Sequence, residues 1–213
     1  MRIKRFHVSK RLKVIKRTTH KKHQELLSLM NELCWGGKIR QGNQMALVIA
    51  RFLAAAGEPA ACRLLAASYD WGTGVARDTR LAFIYWQKGA RLGDGYCQQL
   101  LAWAYQHGLG IQTSPSKAMF WYRKAAEQGM ADAQYYLAQN YAKGIGVDEN
   151  TRLAFKWWAK SARQGHSKAQ LRLAIAFHEG IGTPRQIKQA RKWYQVASEA
   201  GEKIASRRLA RLG

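Results

Sequence analysis

Four glycine triplets are the first candidates for chemistry in this sequence of 213 residues. The pattern G-x-G occurs at Gly72/Gly74, Gly108/Gly110, Gly144/Gly146 and Gly180/Gly182. A dinucleotide-binding loop needs a β-strand before the triplet and a third glycine after it. Neither accompanies these triplets, so we interpret them as tight turns and not as phosphate-binding loops.

Histidine and carboxylate patterns also fail to predict catalysis. His178-Glu179 begins like a zinc-protease motif, but a glycine follows and no second histidine stands at the required offset. The histidines at positions 7, 20 and 23 lie among lysines, which favours a solvated segment over a metal site. No Ser/His/Asp or Cys/His set is present, and Asp78 is better explained as a helix cap. We expect no enzymatic activity, cofactor, metal or small-molecule substrate.

The three cysteines, Cys34, Cys62 and Cys97, are widely spaced and odd in number. These features argue against a disulfide framework, and no pair has metal-ligand spacing. We interpret the cysteines as small buried apolar residues in a reducing compartment. No apolar segment follows the basic N-terminus, so a secretory signal is not expected. The sequence favours a cytoplasmic protein, although residues 1–23, basic and free of acids, leave mitochondrial targeting open.

Positive charge is concentrated at both ends of the chain. The net charge is +23, and residues 1–23 hold ten Lys and Arg without any acid. Residues 151–213 hold fourteen basic and three acidic side chains, whereas the middle is nearly neutral. Such excess charge is typical of proteins that bind polyanions. Like-charge repulsion predicts that residues 1–23 form a mobile arm when no partner is bound.

A strict internal period of 36 residues is the strongest signal in the sequence. Besides the triplets it includes single glycines, single aromatics, alanines and aromatic pairs. These series are Gly93, Gly129, Gly165 and Gly201; Tyr69, Tyr105, Tyr141 and Phe177; Ala82, Ala118, Ala154 and Ala190; and Tyr85-Trp86, Trp121-Tyr122, Trp157-Trp158 and Trp193-Tyr194. Five series in register without insertion predict stacked supersecondary repeats.

Each repeat is predicted to contain a helix, a tight turn and a second helix. In the first helix Cys97, Leu101 and Tyr105 are spaced for one apolar face. Glycine then ends the helix, because it tolerates the left-handed backbone found at helix C-termini. The sequence therefore predicts an all-α, right-handed α/α superhelix, or solenoid, of helix-turn-helix repeats.

The second helix has its own start signals and its own buried side. Good N-cap residues precede it in three repeats, at Asp78, Ser114 and Asn150. Gln186 replaces the cap in the fourth repeat, which predicts a looser start. We expect this helix to bury Ala118, Trp121, Tyr122 and Ala125, with Trp121 between adjacent repeats.

The domain organisation follows from this register. The four repeats are predicted at 58–93, 94–129, 130–165 and 166–201. A degenerate capping repeat is expected at 24–57, where Gly36-Gly37 replaces the triplet and Ala46 and Gly57 keep the register. Residues 202–213 are expected to form a basic closing helix, since the outer face of a terminal repeat has no neighbour. Residues 1–23 form the separate arm.

The repeat resembles the Sel1-like repeat family, which is related to the tetratricopeptide repeats. The match is clearest at Ala118-Met119-Phe120-Trp121-Tyr122-Arg123-Lys124-Ala125-Ala126-Glu127-Gln128-Gly129. It covers residues 58–201 strongly and the segment before them weakly. Alanine stands where the family has the glycine of its L-G pair, at positions 66, 102, 138 and 174. The resemblance implies an adaptor or scaffold, and the missing paired cysteines support an intracellular member.

Candidate binding residues lie on the first helices and on the charged surfaces. Trp103 interrupts the pattern, because Ala67, Gln139 and Ile175 occupy its place elsewhere. It is predicted either to anchor a partner in the groove or to fill a gap against a neighbouring helix. The predicted groove residues are Trp103, Gln99, Gln106, Tyr135 and Gln139. The predicted basic surface comprises Arg2, Lys4, Arg5, Lys10, Arg11, Lys13, Lys16, Arg17, Arg152, Lys156, Lys160, Arg163, Lys188, Arg207, Arg208 and Arg211.

Three functions are compatible with these features. The favoured one is a non-enzymatic scaffold that holds a protein partner in the groove, with basic ends suited to an acidic or polyanionic partner. The alternative is an RNA-, ribosome- or DNA-associated protein that grips phosphates through residues 1–23 and the basic C-terminal half. Attachment of the arm to an anionic membrane surface is a third, weaker possibility.

Overall fold

The structure, a computed structural model, describes residues 24–30 and 39–212, with only the backbone given for 39–43. The predicted basic arm, residues 1–23, lies outside the described residues, as do Cys34 and Gly36-Gly37. The described residues form helices and turns without any strand, which confirms the predicted all-α repeat fold.

The helices follow one another in pairs joined by short turns. They are α1 (residues 24–30), α2 (Ile39–Ala55), α3 (Pro59–Trp71), α4 (Thr79–Arg91), α5 (Gly95–His107), α6 (Pro115–Glu127), α7 (Ala131–Lys143), α8 (Thr151–Arg163), α9 (Ser167–Glu179), α10 (Ile187–Glu199) and α11 (Lys203–Ala210). None of the described helices is both long and apolar enough to cross a membrane.

The described residues divide into two compact units, the first ending at Leu92 and the second beginning at Gly93. In the first unit α2 packs on α3 and α3 packs on α4. Its core includes Leu53, Cys62 and Leu65, which are fully buried. Arg51 donates a hydrogen bond to the Tyr69 hydroxyl at 3.0 Å, and the Tyr69 ring stacks on Tyr85. Tyr69 on α3 is thus held by Arg51 from the preceding helix α2 and by Tyr85 from the following helix α4.

In the second unit each helix from α5 to α11 packs on its neighbours along the chain. Alanines at the helix contacts, among them Ala118, Ala154 and Ala190, are completely buried. Because alanine is small, the helix backbones approach closely, and aromatic side chains fill the space that remains. The closing helix α11 buries Ala205 against α10.

In the aromatic pair of each second helix only the second residue is buried, which differs from our expectation. Tyr122 is completely buried, whereas Trp121 is only half-buried, so the prediction of a buried Trp121 was wrong. The other three repeats behave in the same way, since Trp86, Trp158 and Tyr194 are buried and the preceding aromatic is half-exposed. Helix geometry gives the reason. The buried face of α6 also contains Ala118, Met119, Ala125 and Ala126, and position 122 is three or four residues from each of them, so it lies at the centre of this face. Position 121 is two residues from Met119 and five from Ala126, which places it at the edge.

The second helices also differ in how their first turns are capped. The Asp78 carboxylate accepts hydrogen bonds from the N–H groups of Arg80 and Leu81, and the Asn150 side chain accepts one from Leu153. Ser114 occupies the N-cap position of α6, but its side chain forms no capping hydrogen bond, contrary to the prediction. Pro115 at the first helical position needs no acceptor, so part of the capping requirement disappears there. Gln186 also forms no cap bond, as expected.

A buried glutamine column, which was not predicted from the sequence, joins the first helix of a repeat to the end of its second helix. Gln98, Gln134 and Gln170 are 36 residues apart and are 4–6% exposed. Gln128 donates to the Gln98 side chain at 2.8 Å, and Gln164 donates to Gln134 at the same distance. In the last repeat Ala200 takes the place of the donor, and Oε1 of Gln170 has no partner among the described residues. The column therefore ends with one buried acceptor unsatisfied.

The second glycine of a triplet meets the preceding repeat through its backbone. A Cβ on Gly146 would lie 2.5 Å from the carbonyl carbon and oxygen of Pro115, at the start of α6. Gly182 makes the equivalent approach to the backbone of Thr151, at the start of α8. The first glycine of the same turn, Gly144, has only ordinary contacts at 3.5 Å. The triplet thus supplies both a helix end and a repeat-to-repeat contact.

Gly146→Ala is expected to lower the free energy of unfolding by about 2–4 kcal/mol, because the methyl group collides with backbone that cannot move alone. Gly144→Ala is the matched control, since Gly144 (φ +65°) and Gly146 (φ +70°) share the left-handed region. That control should cost only the backbone strain, about 1–2 kcal/mol. Urea unfolding measures both values. Equal losses would show that the approach to Pro115 does not limit the fold.

Ala200→Gln is expected to stabilise the protein by about 0.5–1.5 kcal/mol, because it supplies the missing donor to Gln170. The backbone at Ala200 (φ −78°, ψ 7°) matches that at Gln128 (φ −78°, ψ 2°), so the new side chain starts from the same geometry. Ala200→Leu is the control, since Leu92 stands at this place in the first repeat and cannot donate. Thermal unfolding gives the melting temperatures of both variants. Equal melting temperatures would show that Gln170 gains no hydrogen bond from a glutamine at position 200.

Candidate partner-binding pocket

A pocket of about 360 Å³ lies within the second unit, on the helices that begin three successive repeats. It is lined by Gln99, Leu100, Trp103, Tyr122, Asp132, Tyr136, His166, Ser167 and Lys168. These residues come from α5, α6 and α7 and from the start of α9. The lining combines aromatic rings with a few polar groups, the usual composition of a ligand-binding cavity.

Asp132 is the fixed anionic group of the pocket. Its Oδ2 accepts a hydrogen bond from the Gln99 amide at 3.1 Å, and its Oδ1 lies 3.3 Å from Nε2 of His166. The Asp132 side chain is nevertheless 57% exposed, whereas that of His166 is 15% exposed. The carboxylate is therefore oriented by the buried Gln99 and the partly buried His166 while it still faces solvent. Such orientation lowers the conformational cost of binding a ligand.

His166 has a structural task at the start of α9. Its Nδ1 accepts a hydrogen bond from the Ala169 N–H at 3.1 Å, which makes it the N-cap of this helix. Because Nδ1 accepts, the proton of the neutral ring resides on Nε2, which donates to Asp132. Burial lowers the pKa of His166 below its ordinary value, while Asp132 acts in the opposite direction. The imidazole ring also stacks on Tyr135 at 4.6 Å between centroids.

Aromatic rings form the apolar walls of the pocket. Trp103 stacks on His107 with ring centroids 3.8 Å apart and meets Tyr136 edge-on at 5.1 Å. Tyr136 in turn stacks on Tyr122 at 5.4 Å. Trp103 is half-buried in this cluster, so it both fills space and offers a surface to the pocket. The two alternatives left open for Trp103 are thus both compatible with its position.

Two buried polar atoms of the pocket lining lack a hydrogen-bond partner within the described part of the chain. They are Oε1 of Gln99, a residue that is 8% exposed, and the hydroxyl of Tyr122, which is fully buried. Burial, with a further contribution from Tyr136, raises the pKa of Tyr122 far above its ordinary value, so the hydroxyl keeps its proton. Unsatisfied buried groups are rare in native proteins and need an explanation.

Only part of the predicted groove lines this pocket. Gln99 and Trp103 do, whereas Gln106, Tyr135 and Gln139 are not among the lining residues. Tyr135 stacks on His166, and its hydroxyl accepts a hydrogen bond from Gln139 at 2.9 Å. The sequence interpretation missed Asp132, Tyr136 and His166. Their only signal was a departure from the repeat pattern, of the kind that singled out Trp103.

The predicted basic surface divides into three parts. Arg2, Lys4, Arg5, Lys10, Arg11, Lys13, Lys16 and Arg17 lie outside the described residues. Arg152, Lys156, Lys160 and Arg163 are all exposed on α8, and Lys188, Arg207 and Arg211 are exposed on or next to the last two helices. Arg208 is different, because it is half-buried and pairs with Glu179 at 2.6 Å. Its charge is thus paired with a carboxylate of the same chain.

Lowering the pH from about 7 to about 5 is expected to destabilise the wild-type protein through His166. Its pKa lies below 6.5 in the folded chain, so the unfolded chain binds the proton first and stability falls below about pH 6.5. His166→Asn keeps a capping acceptor but does not titrate. The surrounding charges, Asp132, Lys168 and Glu202, remain in both proteins. The free energy of unfolding of both proteins is measured across this pH range. If it falls equally in the two proteins as the pH is lowered, His166 is not responsible.

Comparison with known proteins agrees with the helix-pair architecture. A protective antigen of uropathogenic Escherichia coli with an SLR fold has a TM-score of 0.82 and 30% identity, over 88% of this chain and 40% of that chain. A Sel1 repeat protein from Oxalobacter formigenes has a TM-score of 0.74 and 30% identity, over 80% of this chain and 50% of that chain. This chain therefore spans about half or less of those two structures. No curated protein sequence matches it significantly.

The repeats themselves are recognised one by one. An immunity protein of Pseudomonas aeruginosa has the same fold at 21% identity, with a TM-score of 0.50 over 91% of this chain and 71% of that chain. The sequence profile described as Sel1 repeat matches residues 59–94, 95–130, 131–166 and 167–202. Each match pairs one first helix with one second helix. With four consecutive matched repeats, this chain belongs to the Sel1 repeat family.

Proposed function

We propose that this chain is a non-enzymatic scaffold that binds a peptide segment of a partner protein at the pocket around Trp103 and Asp132. Sel1 repeat proteins are generally protein-interaction scaffolds, which supports the class of function. The observation that supports this particular surface is the pocket itself, which collects residues from the first helices of three consecutive repeats. A segment that crosses these helices would contact each repeat in turn.

The polar groups of the pocket are arranged for binding and not for catalysis. Asp132, His166 and Ser167 are of the types found in a catalytic triad. Both ring nitrogens of His166 are engaged, however, with Asp132 and with the Ala169 N–H. The Ser167 hydroxyl donates to Glu202 at 2.7 Å, so it is not directed to a base within this set. The Sel1 repeat is a non-catalytic scaffold in its family, in agreement with this arrangement.

Contact with a polyanion remains a prediction and is secondary. The exposed cations of α8 form one face, which suits phosphates or an acidic protein surface. One of them, Lys160, lies 4.2 Å from the ring centroid of Trp157, so part of this face is held in place. The residues that would add most charge, 1–23, lie outside the described residues. The pocket gives a more specific basis for recognition, since it combines shape with oriented polar groups.

Trp103→Ala is expected to abolish the selection of peptides from a random library displayed on phage, because the indole forms one wall of the pocket. The free energy of unfolding should fall by no more than about 2 kcal/mol, since Trp103 is only half-buried and its ring packs at the surface against His107 and Tyr136. Trp157→Ala is the matched control, a half-buried tryptophan on α8 that does not line the pocket. If the Trp103 variant still enriches the wild-type peptides, this surface is not the binding site.

A further inference from the structure

We propose that the pocket receives the side chain of an arginine from the bound peptide, with the Asp132 carboxylate as its counter-ion. This inference rests on the proposed function and specifies the chemistry of its partner. The charge of Asp132 favours a cationic ligand. Each oxygen of Asp132 accepts one hydrogen bond from a neighbour, which leaves further lone pairs, and the side chain is 57% exposed. A guanidinium pairs with such a carboxylate through two parallel hydrogen bonds.

The aromatic walls provide the second argument. Trp103 and Tyr136 line the same pocket as Asp132, and their rings meet edge-on at 5.1 Å. Tryptophan is the aromatic residue that attracts a cation most strongly through its ring face, followed by tyrosine. A planar guanidinium can lie on such a ring and still direct its N–H groups sideways to a carboxylate. The walls and the anion therefore suit the same ligand group.

The unsatisfied acceptor of Gln99 is the third argument. The Asp132 carboxylate only accepts hydrogen bonds, so Gln99 must present its NH₂ group to Asp132 and keep Oε1 for another partner. That oxygen is buried, lacks a partner among the described residues, and can be satisfied only by a donor. Arginine carries five N–H donors and no acceptor, so it can supply this bond as well as those to Asp132. An acidic or purely apolar side chain cannot.

The last repeat contains an internal example of the proposed contact. There Arg208 donates to the hydroxyl of Tyr194 at 3.3 Å and to the Glu179 carboxylate at 2.6 Å. Tyr194 stands at the repeat position of Tyr122, and the residue fourteen places further on is Arg208 in one case and Tyr136 in the other. Tyr122 thus lacks the arginine that Tyr194 has. An arginine from a partner would give it the same donor.

One cation, Lys168, also lines the pocket and opposes a second positive charge. Lys168 is exposed, so its flexible side chain can keep the ammonium group in water while the guanidinium of the peptide arginine occupies the pocket. Lys168→Ala should therefore tighten arginine binding, and this sign is part of the proposal. A ligand that binds through Lys168 itself, such as a carboxylate, would show the opposite change.

The test titrates the full-length protein with three N-acetyl amino-acid amides and follows the Trp103 indole N–H by NMR. The probes are the amides of arginine, of citrulline, which replaces the guanidinium by a neutral urea of similar shape, and of glutamate. Arginine amide should bind at least about tenfold more tightly than citrulline amide, since only its charge and donor pattern differ. Glutamate amide should produce no shift. Equal binding of arginine and citrulline, or stronger binding of glutamate, would overturn the proposal.

A charge-removing variant tests the counter-ion directly. Asp132→Asn keeps an acceptor for Gln99 and should weaken arginine binding at least about tenfold, while citrulline binding hardly changes. Asp148→Asn removes an exposed carboxylate that does not line the pocket and should leave both affinities unchanged. The citrulline comparison in the wild-type protein needs no variant, so it decides the question even if Asp132→Asn unfolds. An unchanged arginine affinity in a folded Asp132→Asn protein would refute the counter-ion role.

Selection of displayed peptides separates this inference from the proposed function. Peptides that need Trp103 and contain an essential arginine would support both. Peptides that need Trp103 but bind equally well after arginine is replaced by citrulline would leave the scaffold function standing and overturn the arginine site. Failure to enrich any peptide, together with no arginine amide binding, would overturn both.

Discussion

Backbone contact between successive repeats is the constraint on which the second unit depends. The turn glycines Gly146 and Gly182 lie against the starts of α6 and α8 so closely that no Cβ fits between them. Because this contact joins backbone to backbone, the distance between repeats cannot be adjusted by choosing another side chain. An inserted or deleted residue would displace the glycine from its partner. This explains why the 36-residue period holds without interruption through the repeats that these two contacts join.

Buried polar groups follow the same period, and their partners recur at fixed distances along the chain. The amides of Gln98 and Gln134 accept from Gln128 and Gln164, thirty residues further along the chain. The Tyr141 hydroxyl accepts a hydrogen bond from Arg123. One repeat later the equivalent residues are Phe177, which has no hydroxyl, and Ala159, which has no side-chain donor. In this position donor and acceptor are lost together, whereas Gln170 keeps its buried acceptor after Ala200 has replaced the donor. A buried hydrogen bond contributes little net stability, but an unsatisfied partner is costly, so the position of Gln170 is the unfavourable one.

The pocket arises where the repeats differ. Asp132 corresponds to Tyr96 in the preceding repeat and to Lys168 in the following one. His166 occupies an N-cap position that is Met130 one repeat earlier. The common framework fixes where these side chains start, and their individual chemistry decides what the surface can bind. A repeat architecture can therefore acquire a specific site without any change in its backbone, because framework and lining positions are separate.

The sequence by itself determined the repeat length, the helix pairs, the glycine-ended first helices and most second-helix caps, because each depends on residues close together in the chain. It did not determine which aromatic of the Trp121-Tyr122 pair is buried, since one residue of helix rotation separates the two outcomes. The glutamine column was visible as a period, but its hydrogen bonds were not. Gln99, Asp132 and His166 are spread over 68 residues, and only the stacking of α5, α7 and α9 brings them into one pocket. The tertiary structure decided the site, because a ligand responds to distances in space, and repeat spacing alone does not specify which side chains at equivalent positions will meet.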